Sequence, residues 1–233
     1  MRALSIVHHP DAGPGVFADA IRSRGWEHDV WMPATEPAPG VDGYRAVLVF
    51  GGEMNVDQED RHPWLAAEKE LLRDLVERRI PILGICLGSQ LLAEAAGAAP
   101  RRAAEPEIGW HEVELTPEGR EDPVLGALDD RFEALRWHSY EAPLPPGATA
   151  LARSPVCLQA YRLDGASRGI QFHAEVTPRD LGLWIDDYRS DPEAVRIGVD
   201  PARFRAETAP RIDAWNRLGF GLCARFLDQA GSS

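Results

Sequence analysis

The run Ala46–Phe50, AVLVF, has no polar position at which a strand could turn one face to water. A strand built from such a run is covered on both faces, the condition of strands inside a parallel sheet packed between helices. Ile80–Ile85 reads the same way. Between the two runs, Pro63 opens a helical pattern that continues to about Arg79, with Leu65, Leu71, Leu72, Leu75 and Val76 at helical spacing. Upstream, Ala3–His9 and His28–Met32 read as strands around a helix at Val16–Arg24 that Gly25 closes. Downstream, Gly88–Ala96 reads as a short apolar helix stopped by Gly97. Strands alternating with helices imply a parallel sheet covered on both faces.

The second half changes character. Trp110–Leu115, Phe132–Trp137, Thr149–Ala152, Cys157–Arg162 and Gly169–Phe172 are short strand-like runs separated by turn residues, which suggests mixed or antiparallel additions. After Pro178, helical spacing returns at Leu181–Tyr188 and at Pro201–Leu227, the latter with an interruption expected at Gly219–Gly221. The expected fold class is α/β, with a mostly parallel central sheet, antiparallel additions and helices on both faces. No Ser/Gly linker divides the chain. Residues 1–190 read as the main domain, and residues 191–233 as a helical extension packed on it.

Composition excludes several roles. Hydrophobic residues are 44% of 233, enough for a sizeable core, while the formal net charge of −12 disfavours nucleic acid or an anionic membrane surface as partner. No run of about 18 apolar residues spans a bilayer. The N-terminus lacks the apolar segment and cleavage site of a signal peptide and reads as a first strand. The three cysteines, Cys86, Cys157 and Cys223, are widely spaced and form neither a disulfide framework nor a metal knuckle. A reducing cytoplasm is the expected compartment. No metal-ligand spacing and no phosphate-binding G-x-x-x-x-G-K-[ST] loop is present, so no cofactor is expected.

The stretch PILGICLGSQLL places Cys86 between Gly84 and Gly88, where a buried strand meets an apolar helix. This G-x-C-x-G is the thiol counterpart of a nucleophile elbow. Small neighbours let a sharp turn close. A helix N-terminus offers free N–H groups and a dipole that favour an anion and can hold a tetrahedral oxyanion. A core cysteine beside an ordinary strand-to-helix turn fits the same letters. His173 and Glu175, in GIQFHAEVTP, stand two residues apart in an extended segment and so share one side. Glu175 can then hold one ring nitrogen of His173 while the other faces a thiol. A surface His beside a surface Glu is the alternative.

In this order and at these distances the motifs become recognisable. ILGICLGSQLLAEAAGA followed by QFHAE, with Gly51–Gly52, PWLAAEKELL, EIGWHEVEL and WHSYE, resembles the class I (triad-type) glutamine amidotransferases over about residues 1–188. The nearest likeness is to stand-alone members related to the amidotransferase domain of GMP synthase. The resemblance implies a flavodoxin-like core and a Cys-His-Glu triad in which Cys86 attacks the side-chain amide of glutamine. His173 would be base and then acid, and Glu175 would orient it. A γ-glutamyl thioester, released ammonia and freed glutamate follow. Gly52 and Leu87 would supply oxyanion N–H groups. Gln90 and the backbone at Ser139 and Tyr140 would hold the amino-acid end of the substrate. Many members have proline where this chain has Ala174, which predicts a more flexible loop.

Since no synthetase domain fits in the chain, the resemblance implies either a separate synthetase subunit that takes up the ammonia or a stand-alone hydrolase of γ-glutamyl compounds. A non-catalytic binding or regulatory subunit on the same scaffold is the reading from another class. Among minor candidates, His8–His9 reads as loop, His138 as positioning the substrate strand, Cys157 and Cys223 as core, and Arg101–Arg102 as a solvated turn. The acidic EMNVDQED segment faces substrate, a partner or solvent.

Overall fold

A computed structural model describes residues 1–163 and 165–232. The chain opens with β1 (Arg2–Ile6), α1 (Gly15–Ser23), β2 (Glu27–Trp31), β3 (Ala46–Val49), α2 (Trp64–Glu77), β4 (Ile82–Ile85) and α3 (Leu87–Ala95). It continues with β5 (Arg101–Leu115), α4 (Pro117–Glu121), β6 (Arg131–Glu141), β7 (Thr149–Arg153), β8 (Leu158–Arg162) and β9 (Arg168–Ile170). Four helices follow: α5 (Pro178–Asp186), α6 (Pro192–Arg196), α7 (Pro201–Thr208) and α8 (Ile212–Ser232).

One sheet contains all these strands, in the order β2-β1-β3-β4-β9-β8-β7-β5-β6. The first five of that order are parallel and the remaining pairings are antiparallel. Every residue of β3 and β4 is buried. The period-2 alternation of a strand sends Leu48, Phe50, Leu83 and Ile85 to one core with α1 and α8. It sends Val47, Val49 and Ile82 to the other with α2 and α3. The absence of polar residues in AVLVF is the direct consequence of helices on both faces.

Three local expectations need correction. β5 starts at Arg101, well before Trp110, so Arg101–Arg102 are strand residues and not a turn. Pro106 and alternating polar residues disguise that first half, and a register shift between Arg102 and Glu107 accommodates the proline, which has no N–H to give. Arg101 pairs with Glu141 across the ladder, and Arg102 reaches Glu193 of α6. The interruption expected at Gly219–Gly221 is also absent. α8 runs unbroken through both, and the break falls between Thr208 and Ile212, around Pro210.

Gly219 marks a close approach: a Cβ there would lie 1.8 Å from the carbonyl oxygen of Ala174. The helix is held at this distance by its own apolar face. Trp215 packs edge-on against Trp110 and Phe172, with centroids 5.6 and 5.9 Å apart, and stacks on Phe132 at 6.4 Å. Each such aromatic pair is worth about 0.5–1.5 kcal/mol beyond its burial. Leu222, Cys223, Phe226 and Leu227 continue the buried stripe. Cys223 is a core residue, as expected.

Replacing Gly219 with Ala forces α8 off the Ala174 carbonyl. The expected cost is about 1–3 kcal/mol, the usual penalty of overpacking, and urea unfolding of the variant checks it. An unchanged midpoint would show that the helix gives way freely.

Candidate active site

Cys86 joins β4 to α3 with φ 52° and ψ −110°, a backbone conformation that L-residues avoid. Such strain costs on the order of 1–3 kcal/mol and persists only where the surroundings impose it. Here the Cys86 N–H donates to the Ile170 carbonyl at 2.9 Å, and its carbonyl accepts from the Gln90 N–H at 3.1 Å. The Gly88 N–H donates to the Phe50 carbonyl at 3.2 Å. The flanking glycines have one steric reason each. A Cβ at Gly84 would sit 2.5 Å from the Gly88 oxygen, and one at Gly88 would sit 2.0 Å from the Val49 oxygen. The turn closes only because both side chains are missing.

His173 follows β9, and its N–H donates to the Leu135 carbonyl at 2.9 Å. Its Nδ1 lies 2.8 Å from Glu175 Oε1, and both side chains are almost fully buried. The second Glu175 oxygen has no partner among the described residues. The Cys86 sulfur is a further neighbour that acts on the charge of the His173 ring. Burial alone would lower the pKa of His173. The Glu175 carboxylate and then the Cys86 sulfur outweigh it and raise the group to about 10. A Cβ on Gly51 would lie 3.0 Å from His173 Cε1 and 3.7 Å from Cys86 Cβ, so that glycine borders both.

The loop that carries His173 and Glu175 is tied down at each carbonyl. Trp215 Nε1 donates to His173 O at 2.7 Å, the Val16 N–H to Glu175 O at 2.9 Å and Asn216 Nδ2 to Val176 O at 2.7 Å, while Gly219 abuts Ala174 O. Looseness from Ala174 in place of proline is therefore not what the structure shows. α8 supplies three of the four restraints. Trp184 of α5 walls the other side of the site, edge-on to the His173 ring at 4.9 Å. Neither Trp184 nor Trp215 has a local sequence signal that marks it.

Gly52 and Leu87 are neighbours: a Cβ on Gly52 would be 3.2 Å from Leu87 Cδ2. Leu87 is the first residue of α3, so its N–H has no acceptor within the helix. Gln90 Nε2 donates to Tyr140 O at 3.1 Å and to Gln171 Oε1 at 3.2 Å. Gln171, buried two residues before His173, goes unmarked in the sequence because nothing in its spacing separates it from the strand. Ser139 and Tyr140 lie on β6, and His138 Nδ1 meets Tyr140 O at 2.9 Å. Tyr140 Oη donates to Asp57 at 3.1 Å, which brings the acidic EMNVDQED segment against this strand.

Folding also gathers Glu107, His138 and Cys157, whose ligand atoms lie within 4.8 Å of one another. A metal does not suit this set. Arg136 already supplies a cation to Glu107 Oε1, and Gln159 and His138 occupy Oε2. Burial and the neighbouring Glu107 carboxylate push the Cys157 thiol up to about 12, away from the thiolate a metal needs. Cys157 is buried, as expected of a core residue, but it stands in a polar network just before β8 rather than in the strand.

A family model for glutamine amidotransferase class-I matches residues 15–185. The chain belongs to the class I glutamine amidotransferase family. Members of this family are generally amide hydrolases. Among curated relatives, the glutamine amidotransferase-like protein YfeJ of Salmonella typhimurium is 31% identical over 76% of this chain and 77% of its own. The glutamine-hydrolyzing GMP synthase subunit of Saccharolobus solfataricus is 27% identical over 66% of this chain and 79% of its own. GMP synthase of Aeropyrum pernix is 38% identical over 74% of this chain, which spans only 33% of that protein. A solved glutamine amidotransferase from Thermotoga maritima superposes with a TM-score of 0.86 at 29% identity, covering 98% of both chains. The amidotransferase fold therefore extends past residue 185 to include α8. Among the described residues no helix is long and apolar enough to cross a membrane.

The raised pKa of His173 carries a sign. Stability from the His173–Glu175 pair is complete below the ordinary imidazole value of about 6.5 and is lost as pH rises through about 10. Replacing Glu175 with Gln should bring the His173 titration, followed by NMR, down from about 10 toward the ordinary range. The stability advantage of wild type over this variant should shrink as pH passes that value. A titration that does not move would show that Glu175 does not hold the proton on His173.

Proposed function

We propose that this protein hydrolyses the side-chain amide of glutamine through a γ-glutamyl thioester on Cys86 and releases ammonia for a separate acceptor enzyme. The observation that carries the reading is a strained cysteine at a helix N-terminus, beside a buried histidine whose Nδ1 lies 2.8 Å from a buried glutamate. His173 takes the proton of the Cys86 thiol as the sulfur attacks the amide carbon. The N–H groups of Gly52 and Leu87 hold the resulting oxyanion. His173 delivers its proton to the amide nitrogen, the C–N bond breaks and ammonia leaves. His173 next takes a proton from water, the hydroxide attacks the thioester, and glutamate departs as the sulfur is restored. Glu175 keeps the ring oriented throughout. Gln90 and the Ser139–Tyr140 backbone hold the amino-acid end of the substrate.

Relatives named as glutamine-hydrolyzing subunits of GMP synthase support a synthetase on a separate polypeptide as the ammonia acceptor. The comparable length of YfeJ supports the second reading, a stand-alone hydrolase of γ-glutamyl peptides or related compounds. A silent binding subunit is disfavoured because Cys86, His173 and Glu175 are all retained and in contact. Residues 191–233 belong to the same unit as residues 1–190 in this reading, since α8 holds the loop of the proposed base. The cytoplasm is the proposed site of action, in keeping with three buried free cysteines.

Incubation with glutamine should yield ammonia and glutamate in equal amounts, and Cys86→Ala should lower turnover by about 10³-fold or more. Faster cleavage of γ-glutamyl peptides than of glutamine would favour the stand-alone hydrolase. Absence of turnover with every substrate, with and without candidate synthetases, combined with resistance of Cys86 to glutamine-analogue alkylators, would reject both.

A further inference from the structure

Behind the Gly51–Gly52 loop lies a buried pair that the proposed chemistry does not use. His8 follows β1 and Glu68 sits on α2, and neither side chain is exposed at all. His8 Nε2 is 2.9 and 3.0 Å from the two Glu68 oxygens, and His8 Nδ1 is 3.0 Å from the Gly51 carbonyl oxygen. A carbonyl and a carboxylate only accept, so both ring nitrogens donate and the ring is a cation. Burial opposes that charge, but Glu68 outweighs it and holds His8 above the ordinary imidazole value. Trp64 stacks on the ring with centroids 5.5 Å apart. The loop role read for His8–His9 therefore fits only the exposed His9.

The acceptor is the informative partner. Gly51 C=O and Gly52 N–H belong to one peptide plane, and in a trans peptide they point in opposite directions. A donor fixed on the oxygen therefore fixes where the N–H points. This plane joins two glycines, the residues with the greatest backbone freedom, so nothing intrinsic holds it. The Gly52 N–H has no hydrogen-bond partner among the described residues. The loop borders Cys86, Leu87 and His173.

We propose that His8, held by Glu68, is a positioning residue that aims the Gly52 N–H at the oxyanion formed on Cys86. This deepens the reading of Gly52 as an oxyanion donor and rests on it. A cation on the carbonyl side also polarises the peptide, which strengthens its N–H as a donor.

An oxyanion exists only during reaction, so the effect belongs in kcat rather than KM. His8→Leu alone would strand the buried Glu68 carboxylate, so the test uses the double variant His8→Leu/Glu68→Met. Its kcat on glutamine or γ-glutamyl p-nitroanilide should fall about 10²-fold, with KM within about threefold. Alkylation of Cys86 by iodoacetamide is a displacement with no oxyanion and should proceed at the wild-type rate. His8→Asn/Glu68→Met keeps a donor near the Nδ1 position without stranding the carboxylate and should stay within about tenfold of wild type.

A His8→Leu/Glu68→Met variant with wild-type kcat would overturn the proposal, as would an equal loss in kcat and alkylation rate, the mark of a merely structural role. If the wild type cleaves neither substrate, the γ-glutamyl reading fails and the Gly52 amide proton resonance decides. A shift in His8→Leu/Glu68→Met that His8→Asn/Glu68→Met restores would support the positioning role. No shift would overturn it.

Discussion

Four neighbouring strands that run in the same direction create this site. β1, β3, β4 and β9 pair in parallel, so their C-terminal ends open on one edge of the sheet. Directly beyond those ends stand His8, the Gly51–Gly52 pair, Cys86 and His173. Ligand sites in open α/β sheets form beyond the carboxyl ends of the strands for this reason. The parallel ladder also carries the strain of the elbow, because the Cys86 N–H still donates to the Ile170 carbonyl of the neighbouring strand. A shift of β4 by one residue would send Cys86 to the other face.

Around that edge, rigidity comes from buried donors aimed at loop carbonyls. α8 and the start of α1 hold the His173–Val176 loop, and His8 holds Gly51. Loops held this way keep a reacting geometry without help from a substrate. The long antiparallel pair β5–β6 has a matching task. It brings the Trp137 carbonyl to 3.7 Å from the Cys86 sulfur and the Tyr140 carbonyl to Gln90. The Glu107–His138 contact stiffens β6 from beneath.

Much of this was legible in the residues. AVLVF and PILGI announced strands buried on both faces, and Gly84 and Gly88 announced a tight turn, because both signals are local. His173 and Glu175 were legible as a pair because two residues of extended chain place side chains on one side. Legibility failed where a residue answers to something distant in sequence. Gly219 looked like a helix breaker, yet its reason is Ala174, and Arg101–Arg102 looked like a turn because their partners are Glu141 and Glu193. His8 and Glu68 sit 60 residues apart, with no spacing to connect them.

The residues alone specify a parallel α/β core, a cysteine at a strand-to-helix elbow and a histidine–glutamate pair just after a later strand, since each depends on periodicity or on the size of adjacent residues. Tertiary structure alone makes these elements meet, lets α8 clamp the histidine loop and sets the buried His8–Glu68 pair behind the glycine pair. Those features depend on pairing and packing between segments far apart in the chain, where the free energy of a contact leaves no pattern in the neighbouring residues.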